Sequence, residues 1–108
     1  MKTISLDCKI SGTKIFLPFK AICSVTNKEF SGEVIIEYHP KKFALEYCDA
    51  EAAVHRISKK LTTAEDLANQ IFVDIETSIR PKYLKVLIDV KHSDAHRPVQ
   101  VWIEKGLI

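Results

Sequence analysis

The sequence lacks the features that mark membrane, secreted and nucleotide-binding proteins. No apolar run approaches the roughly 20 residues that a membrane-spanning helix requires, so no membrane partner is expected. The three glycines stand singly, which excludes a glycine-rich phosphate-binding loop, and there is no internal repeat or low-complexity tract. Asp7 follows the start too closely for a secretory signal peptide. We therefore expect a cytoplasmic protein.

Cysteine is also scarce, and its spacing excludes the usual structural uses. Cys8, Cys23 and Cys48 form no CxxC pair, which excludes a zinc ribbon, and their odd number without an export signal argues against a disulfide framework. Cys8 falls in an alternating apolar pattern and is interpreted as structural. Cys23 stands where an apolar run meets a polar turn, between Lys20 and Lys28. Such surroundings favour a reactive thiolate if either ammonium approaches the sulfur.

The histidines do not predict a metal site. His92 and His96 have the i, i+4 spacing of two ligands on one helical turn. They lie between two predicted strands, however, and Pro98 follows closely. A helix is not expected there, so no metal is predicted.

Size and charge indicate one globular domain, residues 1–108, that associates with copies of itself. Apolar residues make up 46% and charged residues 28% of the chain, which is ordinary for such a domain. A chain this short buries a modest fraction of its surface, so an oligomer is expected. The net charge of +2 is too small to identify a nucleic-acid partner. Basic residues nevertheless cluster at 41–42, 56–60 and 80–85, and on an assembled surface they would form a phosphate-binding belt.

Hydrophobic periodicity predicts strands at both ends of the chain and two helices between them. The fold class is therefore predicted to be α+β, with an antiparallel four-stranded sheet, two helices on one face and the order ββααββ. Period-two alternation predicts strands at 3–10, 30–38, 84–90 and 99–103. The stretch 14–23 is expected to be extended, with Pro18 restricting it to an edge, a bulge or a strand start.

The two predicted helices carry recognisable start signals. The first covers 50–61 and has Asp49 as its N-cap. The second begins at Thr62, where the pattern Thr-Thr-Ala-Glu fits a capping box, and ends before Pro81. Glu65 would complete this cap. Alternatively, a carboxylate beside a pocket accepts two hydrogen bonds from a purine-like ring. The residues alone favour the cap.

From Phe19 onward, several stretches together resemble the QueF family of nitrile-processing enzymes in the tunnelling-fold superfamily. The family's Cys-Pro-Val-Thr-Gly-Gln-Pro-Asp-Phe/Trp stretch is matched by CSVTNKEF at 23–30, and its Tyr-x-Pro by 38–40. Its Val-Glu-Ser-Lys-Ser element is reduced to LEYCD at 45–49. Its Phe-His-Glu-Asp helix start becomes TAED at 63–66, and its Asp-Pro-Arg-Tyr run becomes RPKYLKV at 80–86.

The resemblance implies a tunnelling fold, a substrate and a covalent first step. In the family a cysteine adds to the nitrile carbon of 7-cyano-7-deazaguanine to give a thioimide, and a neighbouring aspartic acid protonates the nitrogen. By resemblance, Cys23 is the nucleophile and Glu65 anchors the edge of the base. The stretch 23–30 is one residue shorter than the family's stretch. Glu29 takes the acid position if the alignment contains a gap, and Phe30 takes it if there is no gap. Glu46 matches the glutamate of the Glu-Ser-Lys-Ser element and is expected to line the pocket.

The departures from the family pattern select among its reactions. The lysine positions that the family associates with NADPH hold Cys48 and Glu51 here. The family's histidine before the anchoring glutamate is replaced by Ala64. The family's Arg-Gly-Gly in the last hairpin is replaced by Arg-Pro-Val at 97–99. An acid where a phosphate must dock is repulsive, so NADPH is expected to bind poorly. A short chain without the NADPH element resembles the archaeal QueF-like branch, in which ammonia attacks the thioimide.

The expected function is that of an amidinotransferase forming archaeosine. Its partner would be tRNA carrying a 7-cyano-7-deazaguanine base, and ammonia would be the co-substrate with no other cofactor. The resemblance also implies a ring-shaped homo-oligomer with active sites between subunits. Two alternatives stay open: an NADPH-dependent nitrile reductase, and a non-catalytic tunnelling-fold protein that binds a purine or RNA.

Overall fold

The computed structural model describes residues 1–106, so the last two residues of the predicted domain lie outside the described residues. It contains two helices packed on one face of a twisted sheet. The helices are α1 (Tyr47–Ser58) and α2 (Ala64–Ile79). The strands are β1 (Thr3–Ser5), β2 (Thr13–Cys23), β3 (Glu29–His39), β4 (Phe43–Leu45), β5 (Leu61–Thr62), β6 (Tyr83–Ser93) and β7 (Val99–Gly106). Neither helix is long and apolar enough to cross a membrane.

The α+β class is confirmed, but the predicted four-stranded sheet is incomplete. The main sheet has five strands in the order β5-β2-β3-β6-β7. Four of them form antiparallel pairs, as expected, while β5 runs parallel to the end of β2 through Ile22↔Leu61 and Cys23↔Thr62. A separate two-stranded sheet joins β1 to β4. With three and two residues, β4 and β5 are too short to show a period in the sequence.

The predicted first strand, 3–10, is wrong beyond Ser5. Only Thr3–Ser5 is extended in a sheet, and its partner is β4 rather than the main sheet. Its alternating apolar residues do not reach the core, since Ile4 is 48% and Ile10 41% exposed. Cys8, interpreted as structural from the same alternating pattern, is exposed too and does not occupy a buried apolar position.

Strict alternation along β2 and β3 builds the core beneath the helices. The inward side chains of β2 run from Ile15 to Cys23 at every second position, while the intervening residues are exposed. α1 packs on β2, and α2 packs on β6 and β7. Pro18 lies inside β2 opposite Glu33, at a point where β5 does not extend along the other side of the strand. A missing N–H is tolerated there because it would have no ladder partner within residues 1–106.

Each helix has a different N-cap from the predicted one, three residues earlier for α1 and one residue later for α2. Glu46, not Asp49, caps α1, and its carboxylate accepts a hydrogen bond from the backbone N–H of Asp49. Thr63, not Thr62, caps α2, and its hydroxyl accepts from the N–H of Asp66 at 3.1 Å. Thr62 is instead buried in β5. Both cap types satisfy an N–H that the first helical turn leaves without a partner.

Candidate active site

Cys23 is the last residue of β2, held by a tight turn that leads into β3. Its N–H donates to the carbonyl of Lys28 at 2.9 Å, and its carbonyl accepts from the N–H of Asn27 at 2.8 Å. Asn27 has a φ of +59°, a left-handed conformation that asparagine adopts more readily than most residues. The parallel strand β5 adds a bond from Ser24 N–H to the Thr62 carbonyl. The thiol therefore stands at a fixed position at one end of the sheet.

The environment of the Cys23 sulfur favours the thiolate. The hydroxyl of Thr26 and the backbone N–H groups of Thr26 and Val25 lower the pKa of the thiol by donating hydrogen bonds to it. Burial and the nearby carboxylate of Glu65 act in the opposite direction, but the net shift is downward. A cysteine whose pKa is lowered in this way is a better nucleophile near neutral pH than an ordinary buried thiol.

Cys23 opens into a cleft of about 420 Å³. Its walls come from the turn after β2, the first turn of α2 and the loop between β6 and β7. The lining includes Phe30 and the apolar side chains of Val99 and Val101, together with three groups able to do chemistry: Cys23, Glu65 and His96. An apolar cleft with a few convergent polar groups is the usual form of a small-molecule site.

Glu65 is the second residue of α2, and the structure brings it into the same cleft as Cys23. Because Thr63 and Asp66 form the helix cap, the carboxylate of Glu65 is not used in capping. It forms no ion pair within the described residues and is exposed to solvent. It is therefore available to accept hydrogen bonds from a ligand in the cleft.

His96 is a cleft residue for which the sequence predicted no catalytic role. Its loop is held by Ser93, whose hydroxyl accepts from the N–H groups of Ala95 and His96 at 3.0 and 3.2 Å. The ring nitrogen Nδ1 lies 2.7 Å from the Arg97 carbonyl, which only accepts, so Nδ1 carries the hydrogen. Nε2 is left to exchange a proton with a ligand.

The i, i+4 histidine spacing forms no metal site. His92 lies within β6, and His96 lies in the loop that follows. Residues 1–106 contain no group of three or more histidine, cysteine or acidic side chains arranged to hold a metal ion.

Glu29 is not brought together with Cys23 within one chain. It pairs with Ile22 across the β2–β3 ladder, so its side chain is on the opposite face of the sheet from that of Cys23. Its carboxylate lies 3.3 Å from the ammonium of Lys20. It lines a separate cleft that also includes His55 and Lys59. Its backbone carbonyl, however, accepts from the N–H of Asp94 at 3.1 Å and so helps to hold the loop that carries His96.

Glu46 and the positions that replace the NADPH lysines also lie outside the Cys23 cleft. The Glu46 carboxylate is engaged as the α1 cap. Cys48 and Glu51 are exposed on α1, and neither lines the Cys23 cleft. The structure therefore assembles Cys23 with Glu65 and His96, and leaves Glu46 in a structural contact.

Comparison with known proteins finds structural similarity without a matching family. No protein-family model and no curated protein matches the sequence. A crystal structure of the archaeosine synthase QueF-Like in its apo form is similar, with a TM-score of 0.73, over 94% of this chain and 99% of that chain. Sequence identity is 19%, a level at which the similarity shows the fold but not the reaction. The chain therefore has the fold of a QueF-like archaeosine synthase.

Proposed function

We propose that this protein is a QueF-like amidinotransferase that converts a 7-cyano-7-deazaguanine base in tRNA to archaeosine. The observation that carries the proposal is the joint presence of a thiol with a lowered pKa, a carboxylate and an imidazole in one cleft, contributed by Cys23, Glu65 and His96. A QueF-like archaeosine synthase has the same fold. The shared fold supports the choice of this reaction, and the cleft contains groups able to perform it.

In the proposed first step the Cys23 thiolate attacks the nitrile carbon. A C–S bond forms, one π bond of the nitrile breaks, and the nitrogen takes a proton to give a neutral thioimide. In the second step ammonia attacks the same carbon. The attacking nitrogen loses a proton, the C–S bond breaks, and the thiolate leaves with the amidine as product. A thiolate serves as both nucleophile and leaving group because its charge is already stabilised by hydrogen bonds.

The proton transfers are assigned to His96. An imidazolium at Nε2 would donate to the nitrile nitrogen in the first step, and the resulting imidazole would accept a proton from the ammonia-derived nitrogen in the second. Each turnover then returns His96 to its starting form. The acid position assigned to Glu29 by resemblance is not used, because that carboxylate is paired with Lys20 on the other face of the sheet.

Glu65 is assigned to the base. A carboxylate accepts two parallel hydrogen bonds, which suits the ring N–H and exocyclic amine of a deazaguanine. Glu65 lies in the first turn of α2, so the edge of the base that it binds would face the wall of the cleft formed by α2. Ammonia rather than hydride is proposed as the second reactant because the lysine positions that the resemblance associates with NADPH hold Cys48 and the acid Glu51.

A ring-shaped homo-oligomer with active sites between subunits is part of the proposal. An apolar row crosses the sheet face opposite the helices in register, through Phe16, Ile35, Leu87 and Trp102. Phe16 is 54% and Trp102 52% exposed. Contiguous exposed apolar side chains of this kind are typical of association surfaces. Association would also shield the cleft from water, which competes with ammonia for the thioimide.

Intact-mass measurement with the free cyano base tests the first step. We expect a mass increase equal to that of the base on the wild-type chain and none on Cys23→Ala. Incubating cyano-modified tRNA with an ammonium salt should then yield archaeosine. No adduct on the wild-type chain would favour the non-catalytic binder, and NADPH oxidation with the free base would favour the reductase. Archaeosine formed by Cys23→Ala would rule out the proposed mechanism.

A further inference from the structure

The end of the sheet opposite Cys23 carries a group of basic side chains that the proposed chemistry does not use. Lys41, Lys42 and Arg80 line a cleft of about 320 Å³ between the β3–β4 connection and the end of α2. Lys9, Lys41 and Lys82 line an adjoining cleft of about 300 Å³. We call these five residues the basic end. They come from three separate parts of the chain, and only the fold brings them together.

The charge of the basic end is not neutralised by neighbouring acids. Neither cleft has an aspartate or glutamate among its lining residues, and none of the five side chains forms an ion pair within residues 1–106. Elsewhere on the sheet the pattern is different. Lys14 pairs with Glu37, and Lys91 pairs with Glu33. A concentration of uncompensated positive charge in a chain of net charge +2 attracts a polyanion.

Backbone hydrogen bonds hold together the chain segments that carry these side chains. The N–H of Lys82 donates to the His39 carbonyl at 2.8 Å, and the carbonyl of Lys42 accepts from Leu6 at 3.0 Å. Arg80 ends α2 in the left-handed conformation, with its N–H bonded to the Glu76 carbonyl. In the same cleft Phe43 is 40% exposed and offers an apolar surface beside the cations. Cations flanked by an aromatic ring suit a sugar-phosphate chain.

The basic end is too far from Cys23 to act on the reacting base. The β2–β3 ladder runs from Ile22↔Glu29 at the Cys23 end to Thr13↔Tyr38 at the other, a length of about 30 Å at the usual rise per residue. A single nucleoside in the Cys23 cleft does not span that distance. A polyanion that reaches both ends must be extended on this scale, as an RNA helix is.

We infer that the basic end binds the sugar-phosphate backbone of tRNA at a point remote from the base being modified. The inference rests on the proposed function for its choice of tRNA as the polyanion. Phosphate contacts of this kind supply affinity and orientation, while the Cys23 cleft supplies selection of the base. The basic end thus separates substrate docking from chemistry on the same chain.

The test compares two lysine pairs whose neutralisation changes the net charge equally. The double variant Lys41→Gln/Lys42→Gln is compared with Lys14→Gln/Lys91→Gln, whose lysines are exposed and paired with acids. Binding of cyano-modified tRNA is titrated at several salt concentrations. We expect the first variant to bind at least tenfold more weakly and to reduce the slope of log Kd against log salt by about two, one per lost contact. The control is expected to stay within about twofold of the wild type.

Adduct formation from the free cyano base separates this inference from the proposed function. Both variants should form the Cys23 adduct as the wild type does, since the base does not reach the basic end. Equal tRNA affinity for all three proteins, or equal losses in both variants, would overturn the inference even if the adduct forms. Binding of the wild type to anionic phospholipid vesicles as tightly as to tRNA, lost in the same variant, would assign the basic end to a membrane surface instead. Absence of the adduct from the wild type would contradict the proposed function alone, because tRNA binding is measured independently.

Discussion

At the scale of single residues, the Cys23 thiol is controlled by neighbours that act in opposite directions. Thr26 donates hydrogen bonds that lower the pKa of the thiol, and the carboxylate of Glu65 raises it. Removing the Thr26 hydroxyl as Thr26→Val should therefore raise the pKa of Cys23 and slow its alkylation at neutral pH. Glu65→Gln should lower the pKa and extend rapid alkylation to more acidic pH.

Iodoacetamide labelling followed by mass spectrometry across a pH series measures both effects. Cys8 and Cys48 are exposed in the same chain and serve as internal references for reagent reactivity. The two variants should displace the Cys23 profile in opposite senses while leaving the reference profiles unchanged. Displacement in the same sense would contradict the arrangement of donors and acid around the sulfur.

His96 provides a second prediction at this scale. If its imidazolium donates the proton to the nitrile nitrogen, His96→Gln should slow thioimide formation by about 10²-fold or more, the usual contribution of a general acid. The single-turnover rate of adduct formation from the free cyano base, followed by intact mass, measures this effect. The matched control is His92→Gln, since His92 is exposed on β6 and outside the cleft. A His96→Gln rate within about twofold of the His92→Gln rate would exclude His96 as the acid.

At the scale of elements, the hydrophobic period predicts the helices and strands that bury a long apolar face. It does not predict the short strands, which bury no such face. The residues that make α2, β3 and β6 recognisable in the sequence are the same residues that fill the core, and the pattern residues of β7 are partly buried against it. β5 has only two residues, and its pairing with Ile22 and Cys23 is set by the path of the chain. Thr62 and Thr63 could each cap α2. Thr63 is the cap because Thr62 is part of β5, where it pairs with Cys23.

The composition of the site depends on strand pairing, which the sequence did not specify. Resemblance selected Cys23 and Glu65, and the fold brings them into one cleft. The same resemblance selected Glu29, but the register of β2 against β3 turns its side chain to the other face. His96 lies just after β6, and the end of β6 pairs with the start of β3. A correct prediction of this pairing would therefore have placed the loop that carries His96 beside Cys23.

The ladder between β3 and β6 contains an irregularity that requires a glycine. The register shifts between Ser31 and Gly32, and a Cβ added at Gly32 would lie 1.9 Å from the carbonyl oxygen of Asp89. That contact is with backbone, so β3 and β6 would have to separate. Gly32→Ala should therefore lower the free energy of unfolding by roughly 2–3 kcal/mol.

Urea unfolding followed by circular dichroism measures this change. Gly12→Ala is the control, because the nearest atom to its added Cβ belongs to the flexible side chain of His39 at 3.2 Å. We expect the control to lie within about 0.5 kcal/mol of the wild type. Equal stability of the two variants would show that the strands relax around the bulge.

At the scale of the whole molecule, the proposed reaction and the proposed docking of tRNA occupy opposite ends of one sheet. Cys23 ends β2 at one side, and the basic end lies where β3 gives way to β4 at the other. In an assembly of copies, one chain's basic end can therefore serve a base bound in another chain's cleft. Cys23, Glu65 and His96 line a cleft within a single chain, so a neighbouring subunit would cover that cleft without supplying these three groups.

Mixing inactive variants tests this division between residues of one chain and residues of neighbouring chains. Cys23→Ala and Glu65→Gln chains, unfolded together and refolded into mixed oligomers, should recover no archaeosine synthesis, because no chain in the mixture carries both groups. Recovery approaching a quarter of the wild-type activity would mean that Glu65 serves a neighbour's cysteine. Glu29→Gln alone should keep its activity to within a few-fold, since its carboxylate faces Lys20. If Glu29→Gln were instead inactive and rescued by Cys23→Ala chains, Glu29 would be acting across the subunit interface.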